Sequence, residues 1–168
     1  MKHRIPQLLQ LLIVASFGAI CSASPPEVED IDLHPLSSGT YSVTGKLSQS
    51  VEAEFLLDTG ASMVMISKRL FKKISQHQQP ISSGKVAATM ATGKTNVIPT
   101  YTISNFVLEN GCNLGPVEVA IVNGATRNLI GLNALSKLGR ITIDTQENKL
   151  LVSNCDRVLP HSEKVAAN

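Results

Sequence analysis

Glu54-Phe55-Leu56-Leu57-Asp58-Thr59-Gly60-Ala61-Ser62-Met63-Val64-Met65-Ile66-Ser67 sets one acid between two apolar runs. Phe55 to Leu57 read as a buried strand and Met63 to Ile66 as a second one, with a four-residue turn between. A carboxylate at the end of an apolar strand is costly unless hydrogen bonds hold it. The turn can supply them, because Gly60 offers an approachable backbone N–H and Thr59 and Ser62 offer hydroxyls. Asp-Thr-Gly is also a common solvent turn, since Asp bonds its own backbone and Gly supplies positive φ. A solvent turn, however, has no need of apolar strands on both sides.

Working outward, the second informative segment is Arg127-Asn128-Leu129-Ile130-Gly131-Leu132-Asn133-Ala134-Leu135-Ser136-Lys137-Leu138-Gly139-Arg140. Leu129-Ile130-Gly131 close a strand, Leu132, Leu135 and Leu138 share one helical face, and Gly139 stands where a C-terminal cap belongs. Asp58-Thr59-Gly60-Ala61-Ser62 followed by Leu129-Ile130-Gly131, with a hairpin between, resembles the single-lobe, retropepsin-like aspartic proteases. The resemblance covers roughly residues 39–152 and is nearest to small secreted bacterial-type members. It implies an all-β fold, a retropepsin-like closed β-barrel with one short helix after the second motif. It also implies that Asp58 is catalytic, that Thr59 braces the loop of a second subunit, and that Gly60 N–H and the Ser62 hydroxyl bond the carboxylate. Ala61, Leu129, Ile130 and Gly131 would complete the support.

The strands between the motifs follow from alternation. Tyr41, Val43 and Leu47, then Val51, Ala53 and Phe55, have strand periodicity, with a turn over residues 46–50. Ser67 is placed to cap a helix bearing Leu70, Phe71 and Ile74 on one face, and residues 76–84 read as loop. Val86, Ala88 and Met90 alternate before the turn Ala91-Thr92-Gly93-Lys94, and residues 96–103 return, which is a hairpin pattern. An ordinary hairpin is one reading; the resemblance makes it the flap over substrate, although it lacks the several glycines of viral flaps. Residues 106–109 and 114–123 read as further strands around Asn110-Gly111. Ile141, Ile143 and Leu150-Leu151-Val152 form a terminal hairpin. Many short strands punctuated by Gly, Asn and Pro argue for an all-β architecture independently of the resemblance.

The first residues read as an address. Lys2, His3 and Arg4 precede an apolar stretch over residues 8–20, and Cys21-Ser22-Ala23 offer small residues for cleavage. The apolar run is short and interrupted against the roughly 20 residues of a membrane span. Residues 1–23 are therefore expected to be a signal peptide and the protein secreted or periplasmic, with a membrane partner only if the segment is retained as an anchor. Ile20 before Cys21 argues against a lipoprotein site. Residues 24–38, acidic and carrying Pro25, Pro26 and Pro35, read as a linker, with an inhibitory pro-segment as the other reading. The domain is expected over residues 39–155 and a flexible tail over 156–168.

The chain of 168 residues carries 15 Lys and Arg against 13 Asp and Glu. Lys2 and Arg4 leave with the signal, so 15 less two balances the 13 acids. No basic patch or aromatic interleaving points to nucleic acid. The four histidines are scattered and no cysteine has a ligand-spaced partner, so neither metal nor cofactor is expected. Cys112 and Cys155 remain after processing; an even count in an oxidising compartment suits a disulfide, and two free thiols stay open.

Peptide hydrolysis of this kind needs two carboxylates sharing a proton, yet the chain holds one Asp-Thr-Gly. Asp144 also ends an apolar strand, but Thr-Gln follows it. A symmetric homodimer giving one Asp58 per subunit, with a peptide or protein as substrate, is the expectation. A non-catalytic domain of the same fold that binds a peptide or partner is the alternative.

Overall fold

The computed structural model describes residues 28–157 except 49, 90 and 91. The expected signal segment, residues 24–27, the turn residue Ala91 and residues 158–168 lie outside the described residues. The chain runs β1 (Glu29–Asp32), β2 (His34–Pro35), β3 (Tyr41–Leu47), β4 (Val51–Leu57), β5 (Val64–Ser67), α1 (Lys68–Ile74), β6 (Ile81–Thr89) and β7 (Thr95–Ile103). It continues β8 (Phe106–Leu108), β9 (Cys112–Asn113), β10 (Val117–Val122), β11 (Asn128–Ile130), α2 (Leu132–Leu135) with a 3-10 turn over Ser136–Leu138, β12 (Ile141–Asp144), β13 (Lys149–Val152) and β14 (Asp156–Arg157).

The fold is all-β and retropepsin-like, but its main sheet does not close into the expected barrel. Its order is β14-β9-β8-β3-β4-β11-β5-β10-β7-β6, with β2 beside β3, so among the described residues β6 and β14 each have a single neighbour. Closure fails because β6 belongs to a hairpin that stands away from the body: seven of its nine residues are exposed. It is held by its ladder to β7, from Ile81 opposite Thr102 to Thr89 opposite Thr95, rather than by burial. That same lack of apolar alternation is why residues 81–84 read as loop while the structure makes them strand.

The core lies between this sheet and a second one of order β1-β13-β12. Phe55 and Phe106 pack with ring centroids 4.9 Å apart at its centre, joined by Val43, Leu47, Ile66, Ile74, Ile130 and Leu150, all fully buried. Each such side chain contributes about 1.5–3 kcal/mol by leaving water. The linker expected over 24–38 is corrected here: residues 29–32 pair with β13 from Glu29 opposite Val152 to Asp32 opposite Lys149. Ile31 and Leu33, 0% and 3% exposed, supply the reason, because they complete the core that β13 leaves open. The tail is corrected at its start, where Asp156 and Arg157 pair with Asn113 and Cys112.

Local signals account for the helices. The Ser67 hydroxyl accepts from Leu70 N at 3.2 Å and starts α1, which buries Leu70 and Ile74. At the end of the 3-10 turn, Gly139 adopts φ +70°, a region that L side chains avoid. Among the described residues no helix is long and apolar enough to cross a membrane.

Candidate active site

Two segments far apart in sequence build the site. β4 and β11 run parallel, with Leu56 opposite Leu129 and Leu57 opposite Ile130. Where the strands end, backbone bonds continue between them: Asp58 N donates to Ile130 O at 3.2 Å, Leu132 N to Ala61 O at 2.9 Å, and Asn133 N to Ser62 O at 3.0 Å. The turn over residues 58–62 is thereby held at both ends by residues 130–133.

Gly131 makes this closeness possible. A Cβ there would lie 2.4 Å from Met63 O and 2.8 Å from Ala61 O, so no side chain fits between the two segments. Within the turn, Gly60 N donates to Asp58 Oδ1 at 2.9 Å, and Ala61 N to Asp58 O at 3.3 Å.

Asp58 is half-buried, Ala61 is buried, and Thr59, Gly60 and Ser62 are exposed. Ile130 and Gly131 are buried and Leu129 is half-buried. Ser62 joins the scaffold through its backbone carbonyl; among the described residues, the bond to the Asp58 carboxylate comes from Gly60. The carboxylate opens on a cleft of about 690 Å³ between this turn and residues 86–89 of β6, with Met63, Met65, Val86 and Leu129 as its apolar lining. The hairpin therefore roofs the acid. Thr92, Gly93 and Lys94 are exposed beyond it.

Two residues that support the site had no signal in the sequence pattern. The Asn133 side chain accepts from Val64 N at 2.9 Å and donates to Glu118 O at 2.8 Å, tying α2 to β5 and β10. Asn128 accepts from Ser67 N and donates to Glu54 O, both at 3.1 Å. Their only local mark is an Asn at each end of the apolar-Gly motif.

Three other aspartates are engaged elsewhere. Asp144 Oδ1 accepts from Gln146 N at 2.9 Å and Glu147 N at 3.0 Å, closing the β12–β13 turn. Asp30 and Asp32 both pair with Lys149. Lys149 beside Asp32 lowers its carboxyl pKa, first through their hydrogen bond and then through charge, and the Lys149 ammonium is raised in turn. Cys112 and Cys155 are joined as a disulfide with Cα atoms 5.2 Å apart, which fastens the end of the β13 segment to β9. Among the described residues no group of three or more His, Cys, Asp or Glu is gathered as a metal would require.

An Asp-Thr-Gly turn gripped by an apolar-Gly strand end, beneath a hairpin, defines the single-lobe aspartic-protease class of fold. The model of a family described as "gag-polyprotein putative aspartyl protease" matches residues 43–137, more than half the chain, and the chain belongs to that family. Among solved structures, it is similar to a retropepsin-like aspartic protease from Rickettsia conorii, at 17% identity and a TM-score of 0.56. That match covers 77% of this chain and 94% of the other, and it is a likeness of fold. Among curated proteins none matches.

Proposed function

We propose that the chain is an aspartic endopeptidase that works as a homodimer, with one Asp58 from each subunit facing the other across a two-fold axis. The observation that carries this is a single carboxylate, bonded by Gly60 N–H, at the mouth of a roofed cleft, while Asp30, Asp32 and Asp144 are held elsewhere. Chemistry that needs a pair of carboxylates must then draw the second from another copy. A symmetric contact supplies it, because a two-fold axis sets identical residues opposite each other.

In that arrangement the two carboxyls share one proton, since like charges a few ångströms apart do not both ionise. The ionised Asp58 takes a proton from a water held between them as the water attacks the peptide carbonyl. The protonated Asp58 donates to the carbonyl oxygen, and a carboxyl then protonates the leaving amine as the C–N bond breaks. Thr59, exposed in the single chain, is free to brace the partner's turn. We place the enzyme outside the cytoplasm, secreted or periplasmic, where the Cys112–Cys155 bond would persist.

The test is cleavage of an unstructured protein by the mature chain, with Asp58→Asn and Asp144→Asn alongside. Activity is expected to peak at acidic pH, to rise faster than linearly with enzyme where dimerisation is incomplete, and to vanish in Asp58→Asn but not in Asp144→Asn. Wild-type rates from Asp58→Asn would end this reading. A folded, dimeric wild type that cuts nothing would favour the binding module.

A further inference from the structure

Glu54 and Leu56 are alternate residues of β4, so their side chains share one face of the sheet, and the turn that carries Asp58 follows directly on the strand. A second cleft, of about 290 Å³, lies on this face, lined by Leu36, Ser42, Glu54, Leu56, Arg127 and Asn128 among others. It abuts the cleft over Asp58: Leu56 lines one, Leu129 lines the other, and the two are register partners in the β4–β11 pair. The two hollows thus lie side by side at the β4–β11 pair. Arg127 directly precedes the Asn128–Phe55 pair and so stands level with Glu54, about 13 Å from Asp58 at the rise of four extended residues. An extended peptide with its reacting carbonyl at Asp58 sets a side chain three or four residues away beside Arg127 in the second cleft.

The charges there are not equivalent. Glu54 Oε1 already accepts the hydroxyl of buried Ser42. Both amide atoms of Asn128 are used by Ser67 N and Glu54 O. Arg127 stands exposed on the loop before β11 and, among the described residues, makes no ion pair. Among the described residues no cation lines the cleft over Asp58, and Arg127 is the cation lining the second.

We propose that Arg127 is a specificity-determining residue, which selects peptides carrying an acidic side chain three or four residues from the bond that is cut. This rests on the endopeptidase reading for the position of the peptide, but not for the charge preference itself. The guanidinium fits a carboxylate through two parallel N–H bonds. Glu54 on the strand floor repels the same carboxylate and so keeps it on the loop side of the cleft.

The test uses a series of fluorescent peptides in which a single Glu, Gln or Lys is walked along an otherwise constant apolar sequence. Affinity is read by anisotropy on the Asp58→Asn chain, which leaves the peptide whole, and kcat/KM on the wild type. At one position Glu is expected to bind about tenfold better than Gln. Arg127→Ala is expected to bring that ratio close to one, Arg127→Glu to turn the preference to Lys, and Glu54→Gln to widen the preference for Glu. A Glu-to-Gln ratio that is flat along the peptide, or unchanged in Arg127→Ala, overturns the proposal. A clear preference in binding with no cleavage by the wild type supports it and overturns the endopeptidase reading. Cleavage without any charge preference does the reverse. Failure of every peptide to bind removes both.

Discussion

Replacing Gly131 by alanine isolates the contact between the two segments that build the site. Its backbone angles, φ −102° and ψ −177°, are ordinary extended ones, so alanine meets no conformational penalty there. The cost is steric. The new Cβ would start 2.4 Å from Met63 O, 2.6 Å from Met63 C and 2.8 Å from Ala61 O. Ordinary contact begins at 3.4 Å, so the segments must part by about 1 Å. All three atoms are backbone, which cannot rotate away as a side chain would. Overpacking of this kind costs about 1–3 kcal/mol, to which weakening of the Leu132 N to Ala61 O bond adds. The displacement falls on the turn that holds Asp58, and a 1 Å misplacement costs a catalytic site on the order of 100-fold. Urea unfolding and kcat/KM on a cleavable peptide should both be measured. The expected result is a modest loss of stability with a disproportionate loss of turnover. An alanine variant as stable and as active as the wild type would refute the account of how the turn is held.

Asn133→Ala should destabilise the fold by about 1–3 kcal/mol, because Val64 N–H and Glu118 C=O each lose a partner; an unchanged unfolding midpoint would remove the role given to that side chain. Replacing both Cys112 and Cys155 by serine opens a loop with a sequence separation of 43, for which the chain-entropy estimate is a loss of about 4 kcal/mol. Alkylation of both thiols in the native protein would reject the bridge. Asp32 is lowered by Lys149, so its contribution is full above the ordinary value of 3.8 and is lost as pH falls through the lowered one. Lys149 is raised, so its contribution is full below 10.5 and is lost as pH rises through the raised value. The difference in melting temperature between wild type and Lys149→Met should therefore be level across neutral pH and narrow at both extremes; a difference that changes across neutral pH would contradict this.

Much of the fold was legible because it is written in local periods. Alternation at Tyr41, Val43, Leu47 and Val51, Ala53, Phe55 marks β3 and β4, and Ser67 with Leu70 and Ile74 marks α1. The Asp-Thr-Gly turn and the apolar-Gly strand end are readable for the same reason, since each is a contiguous string with its own backbone demand. β10 shows how far such a pattern reaches. Val117, Val119 and Ile121 mark it as a strand, but Ala120, on the other face, is also fully buried, so alternation marked one covered face of a strand that is covered there too.

By itself, then, the amino-acid sequence determined the all-β class, the acid at the end of β4 and the two strings that meet around it. Only the tertiary structure decided what lies between distant residues. Ile31 and Leu33 are two apolar positions in an acidic segment, too few to make a period, and β1 exists because β13 presents an open edge and an unfilled core. The open order of the main sheet depends on β6 standing away from the body, which no residue of that strand declares. Asn133 reaches Val64 across 69 residues and Asn128 reaches Ser67 across 61. Arg127 meets the second cleft only because β11 lies parallel to β4. Local propensity acts over a few neighbouring residues, whereas these contacts are chosen by the packing of whole strands against one another, and that is settled only when the chain is folded.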